Sequence, residues 1–248
     1  MNRRLGWIAV VSLGISAACV LAALSLAPSW VGDEESWARS LRSCAAMKWV
    51  GKASRSTGQD QAGGTVDLEW PGGDAVKINI PARVHYQPGP KAQASVSGDA
   101  ELVGLVRLRD GTLEWDTVDN CFPADDLVVR LTGPAVKAWT LNGSGKLDLT
   151  DIRQDVLRIA LRGSGTVTAS GAAQETSLDV AGSSRIVLGK LVTQHTNAHI
   201  RGSAEVELAP REQVDISIAS SAVVRLHGAG AARVSSQISG SGQIKQVP

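Results

Sequence analysis

The chain has 248 residues, 43% of them hydrophobic, with 25 basic and 24 acidic side chains. That is material for one sizeable folded domain plus an anchor. Setting aside the two arginines of the first 27 residues leaves 23 basic against 24 acidic groups. No basic run with interleaved aromatics occurs, so nucleic acid is not an expected partner.

The chain opens on Met1-Asn-Arg-Arg4, followed by an uncharged run from Leu5 to Ala27. A basic start before an apolar run reads as an export signal with the arginines held in the cytoplasm. At 23 residues the run is long enough to span a bilayer. Its one small-residue cleavage site, Ser25-Leu-Ala27, is followed by Pro28, which disfavours cleavage. An uncleaved transmembrane anchor over residues 1–27 is therefore preferred to a removed signal peptide. The expected location is the inner membrane facing the periplasm, or the periplasm or cell surface if the signal is cleaved. The membrane is thus the first expected partner.

Residues 28–64 read as a tether. A short helix fits Asp33 to Met47, where Trp37, Leu41 and Cys44 share a face, and Lys52 to Gly64 is polar and glycine-containing. Cys19 falls in the apolar run. Cys44 and Cys121 remain as a candidate disulfide for an oxidising compartment, against the alternative of two unpaired thiols. From Thr65 short strands alternate with turns: 66–70, 76–80, 84–86, 94–96, 102–108, 113–115 and 127–131. Here Trp70, Trp115 and Trp139 would close one end of the domain.

From Leu141 the chain repeats. The copies are Leu141-Asn-Gly-Ser-Gly-Lys-Leu-Asp-Leu149, Leu161-Arg-Gly-Ser-Gly-Thr-Val-Thr-Ala169, Val180-Ala-Gly-Ser-Ser-Arg-Ile-Val-Leu188, Ile200-Arg-Gly-Ser-Ala-Glu-Val-Glu-Leu208, Ile218-Ala-Ser-Ser-Ala-Val-Val-Arg-Leu226 and Ile238-Ser-Gly-Ser-Gly-Gln-Ile-Lys-Gln246. Their marker positions Gly143, Gly163, Gly182, Gly202, Ser220 and Gly240 are 20, 19, 20, 18 and 20 residues apart. Aligned on the marker, Leu141, Leu161, Val180, Ile200, Ile218 and Ile238 form one apolar column. Leu147, Val167, Ile186, Val206, Val224 and Ile244 form a second. Apolar residues at alternate positions predict strands with one buried and one wet face, and the Gly-Ser pair supplies a sharp corner.

A unit of about 20 residues buries its apolar face only by stacking on a copy of itself. The predicted fold is all-β: a single-stranded parallel β-solenoid over residues 65–248, its strands roughly 4.8 Å apart. Every aromatic residue lies at or before Trp139, so the repeats pack with aliphatic side chains alone. An antiparallel sandwich is the rival, but it would show Asn-Gly or Asp-Gly turns at its hairpins.

The segment from Asp126 to Leu147, with the Gly-Ser copies after it, resembles the bacterial "putative auto-transporter adhesin, head GIN domain" family. Val76 to Tyr86, Ser95 to Gly98 and Asp110 to Trp115 resemble it too. The likeness spans about Thr65 to Val247 and implies an envelope-located β-solenoid of adhesin type. It carries over no catalytic residue, and the Trp-rich tether and the Ser220-Ser221 corner depart from the pattern.

Three groups of residues bear on chemistry. Asp148, Asp151 and Asp155 would suit acid–base work on a glycan, yet carboxylates at strand ends are usually just solvated. Ser144, Ser164, Ser183 and Ser203 recur with the period, as corner residues do, whereas a nucleophile is needed once. His195 and His199 have a helical metal-ligand spacing but lie in a strand region. No catalytic, cofactor or metal residue is therefore expected. The leading reading is a non-enzymatic envelope domain whose partner is an envelope protein or a glycan. A polysaccharide-acting β-helix enzyme is the alternative, and end-to-end self-association through the last coil is a third reading.

Overall fold

The structure is a computed structural model and describes residues 63–117 and 127–247. The expected anchor, the tether to Ala62, Cys44 and Cys121 lie outside the described residues. Among these, no helix is long and apolar enough to cross a membrane.

The described chain is almost all strand: β1 (Gly64–Leu68), β2 (Ala75–Ile78), β3 (Arg83–Pro88), β4 (Gln93–Gly98), a one-turn helix α1 (Ala100–Val103), β5 (Val106–Arg109), β6 (Thr112–Trp115), β7 (Val128–Gly133), β8 (Ala138–Gly143), β9 (Lys146–Gly163), β10 (Thr166–Gly182), β11 (Arg185–Arg201), β12 (Glu205–Ala219), β13 (Val223–His227), β14 (Arg233–Ser239) and β15 (Gln243–Val247). The repeats stack in parallel, as their period predicts. β9 to β12 lie side by side in sequence order, and β13 and β14 both pair with β12. Each long strand bends at a corner, so its first part lies in one wall of the coil and its last part in another. The bend shows as register shifts at 168–170 in β10 and 187–192 in β11.

The two apolar columns of the sequence are columns in space. In the first wall Leu147, Val167, Ile186, Val206, Val224 and Ile244 are successive register partners. In the second wall Leu141, Leu161, Val180, Ile200, Ile218 and Ile238 are partners in the same way. The first five residues of each column are buried. This continuous aliphatic pillar is the core, and the side chains between its members point outward.

The marker corner explains its own composition. Gly182 has φ 128°, and a Cβ there would stand 2.3 Å from the carbonyl oxygen of Gly163 in the coil below. Neither the dihedral nor the space admits a side chain. Ser220 holds the same corner at φ 148°, which makes the fifth coil the irregular one.

The N-terminal end differs from a simple stack in two respects. First, the coils are not laid down in chain order: β3 is inserted between β7 and β9, and β2 between β6 and β8. Second, the end is closed by antiparallel pairing, β4 against both β1 and β7, and β5 against β6. The segment expected as one strand over 102–108 begins instead as α1. Asp99 caps it by accepting the Glu101 N–H at 2.9 Å, and the strand starts only at Val106. Trp70, Trp115 and Trp139 are buried here, as expected of large side chains closing an end. At the opposite end Ile238 is 42% exposed, because no further coil covers it among the described residues.

Candidate functional surface

The second wall carries three outward rows, one residue per coil. Val156, Glu175, His195, Gln213 and Arg233 form the first; Arg158, Ser177, Asn197, Asp215 and Ser235 the second; Ala160, Asp179, His199, Ser217 and Gln237 the third. Ser177, Asn197, Asp215 and Ser235 of the middle row line a shallow trough. Its three depressions measure about 450, 300 and 230 Å³ and all border the strand segment from His195 to His199. Asp215 lines two of them.

The trough is polar, and only part of it is internally paired. His195 Nε2 lies 3.6 Å from Glu212, the Gln213 amide donates to Asp215 at 2.8 Å, and Arg201 holds Asp179 at 2.8 Å. The side chains of Glu175, Asn197, His199 and Gln237 make no hydrogen bond or ion pair with another described residue. Carboxylate, amide and imidazole groups are therefore presented to solvent side by side, with hydroxyls of Ser177 and Ser217 between them.

The residues singled out in the sequence fall elsewhere or are spread apart. Asp148 lies on the first wall, where His85 Nδ1 is 3.2 Å from its Oδ2 and Thr168 donates to its Oδ1 at 2.5 Å. Asp151 occupies a corner at φ 56° and accepts from Gln87 at 3.3 Å. Asp155 accepts from Gln174 at 2.9 Å. Each carboxylate is tied to another strand of the stack. Ser144, Ser164, Ser183 and Ser203 stand exposed at successive corners, one per coil. His195 and His199 point the same way, but four extended residues separate them by about 13 Å, too far to share one metal ion. No group of three or more metal-binding side chains occurs among the described residues.

Asn197, Asp215 and Glu175 were missed by motif reading, though the repeat contained the signal. Five before the second to sixth markers stand Arg158, Ser177, Asn197, Asp215 and Ser235, a polar column, and Glu175 stands seven before Gly182.

Residues 74–230 match the family described as "Putative auto-transporter adhesin, head GIN domain". The chain belongs to this family. Among solved structures, a putative adhesin from Bacteroides fragilis is 18% identical, with a TM-score of 0.59 over 76% of this chain and 98% of that one. A putative lipid binding protein from Parabacteroides distasonis is also 18% identical over the same shares, with a TM-score of 0.49. At this identity the first likeness speaks to the GIN-domain fold alone. No curated protein matches the chain.

Proposed function

We propose that this GIN domain is a non-catalytic adhesion module of the bacterial envelope, held there by its apolar N-terminal segment, and that the second-wall trough binds a polysaccharide strand. The carrying observation is the set of unpaired polar side chains, Glu175, Asn197, His199 and Gln237, spread over the three outward rows of this face. An extended polymer with regularly spaced hydroxyls, laid along such a face, meets polar side chains at every coil from β10 to β14. The family match supports an adhesive role.

The test is a glycan array combined with co-sedimentation on insoluble envelope polysaccharide. Asn197→Leu combined with His199→Ala should weaken retention at least tenfold while leaving thermal unfolding unchanged. Release of new reducing ends, abolished by Asp215→Asn, would show the enzymatic alternative instead. Capture of a protein but of no polysaccharide would also sink the proposal.

A further inference from the structure

The two ends of the stack continue the same columns. In the first wall the pillar does not stop at Leu147. It runs on through Val84, Val129 and Val96 to Val66 in β1, each the register partner of the next. Ile244 ends the same column at the other edge. In the second wall Leu113 and Ile78 link Leu108 of β5 to Leu141, and Ile238 ends that column. Val66, Val234 and Ile238 are the exposed large hydrophobics of the described residues, one at the first edge and two at the last.

Direction and charge agree with the apolar match. β1 is antiparallel to β4 and β4 to β7, so β1 runs parallel to the solenoid strands and to β15. One position after Val66 comes Asp67, and one after Ile244 comes Lys245; both are exposed and end the same outward row. The β1 part of the first edge carries exposed Asp67 and Glu69, and the two arginines of β5, Arg107 and Arg109, are both held by Asp116. The last two strands carry Arg233 and Lys245 and no acid.

We infer that the C-terminal edge docks on the β1 edge of a second copy of this chain, head to tail. Translation along the stack axis sets Ile244 over Val66 of the next copy, Lys245 opposite Asp67 and Ile238 over Leu108. β15 then joins β1 in parallel, and β14 joins β5 antiparallel. The contact is heterologous, so it propagates into a filament rather than closing as a dimer. Display of the trough along such a filament would multiply its contacts with a polymer, but the docking does not depend on what the trough binds. A lysine on an edge strand also serves to prevent pairing, so the charge has to be tested in both directions.

The experiment is sedimentation velocity of the full chain in detergent over a concentration series, with electron microscopy of the associated material. The wild type should grow without a fixed end point. Lys245→Glu and Asp67→Lys, both at exposed positions, should each weaken association about tenfold by setting like charges opposite one another. The double variant D67K/K245E should restore it. An equimolar mixture of the two single variants should also restore it, through alternating copies. A chain that stays monomeric, stops at a dimer, or associates equally in all four forms would overturn the inference.

Discussion

Tyr86 and Trp139 meet inside the first coil with ring centroids 4.9 Å apart and planes tilted by 55°. Tyr86 belongs to β3 and Trp139 to β8, so the contact joins the two walls where the coil is still wide enough to hold rings. The phenol also closes the loop before the repeats, donating to the Pro134 carbonyl at 2.8 Å and accepting the Val136 N–H at 3.3 Å. Burial raises the Tyr86 pKa above its usual value of 10.0, and the Val136 hydrogen bond offsets part of that rise.

A stability change at high pH follows. With its folded pKa raised, Tyr86 contributes stability that is fully present below pH 10 and is lost as pH rises through the folded value. Because Tyr86 is the single tyrosine of the chain, tyrosinate absorbance reports it alone. The native protein should titrate above the urea-unfolded chain. Tyr86→Phe should cost about 1–3 kcal/mol near neutral pH by leaving the Val136 N–H without its partner. It should also flatten that part of the alkaline stability loss. Coincident native and unfolded titrations would contradict this.

The marker corner gives a pair of opposite expectations. Gly182→Ala forces a Cβ against the Gly163 carbonyl in a backbone that disfavours side chains, and should destabilise by more than about 2 kcal/mol. Ser220→Gly relieves the one non-glycine marker at φ 148° and should change stability by no more than about 1 kcal/mol, in the favourable direction. Urea unfolding of both variants measures the contrast. Equal effects of the same sign would mean that the corners are not under the shared constraint.

The fold of the repeats was legible because one alternation, apolar-x-Gly-x-x-x-apolar as in Leu141 to Leu147, stands in five of the six copies, with Ser220 replacing the glycine in the other, and each copy constrains the others. The column of Val84, Val129, Val96 and Val66 was hidden, since it is assembled from strands out of chain order and two reversals of direction. Nothing local in Val66 or Val96 announces a partner. The start of α1 turned on one side chain, Asp99, within a segment whose apolar spacing suits a strand. The trough residues were present in the period but were obscured by attention to reactive residue types: His195 drew notice as a ligand, whereas Asn197 between the histidines carries no motif.

Buried threonines on the inner side of the second wall give another test. Leu157, Thr176, Thr196 and Val214 are register partners, so two hydroxyls replace aliphatic carbon in the pillar. Thr193 and Thr196 satisfy each other at 2.6 Å, whereas the Thr176 hydroxyl has no partner. Thr176→Val should therefore stabilise by about 1 kcal/mol, because it removes an unpaired buried hydroxyl at constant shape. Thr196→Val should destabilise by about 1–3 kcal/mol by orphaning Thr193, and the double variant T193V/T196V should cost less than the sum of the two single changes. Additive losses in that cycle would refute the pairing.

The stack should also be graded in stability along its axis. Ile186 is fully buried between Val167 and Val206, so Ile186→Ala should cost about 2–5 kcal/mol. Ile244 occupies the same column but is covered from one side only, by Val224, and Ile244→Ala should cost about 1 kcal/mol or less. Each coil of a solenoid is held mainly by its neighbours, and the last one has a single neighbour among the described residues. Amide exchange on dilute protein should then be fastest in β14 and β15 and slowest in β10 and β11. Uniform protection across these strands would mean that the coils unfold as one unit, and the larger cost of Ile186→Ala would then reflect side-chain burial alone.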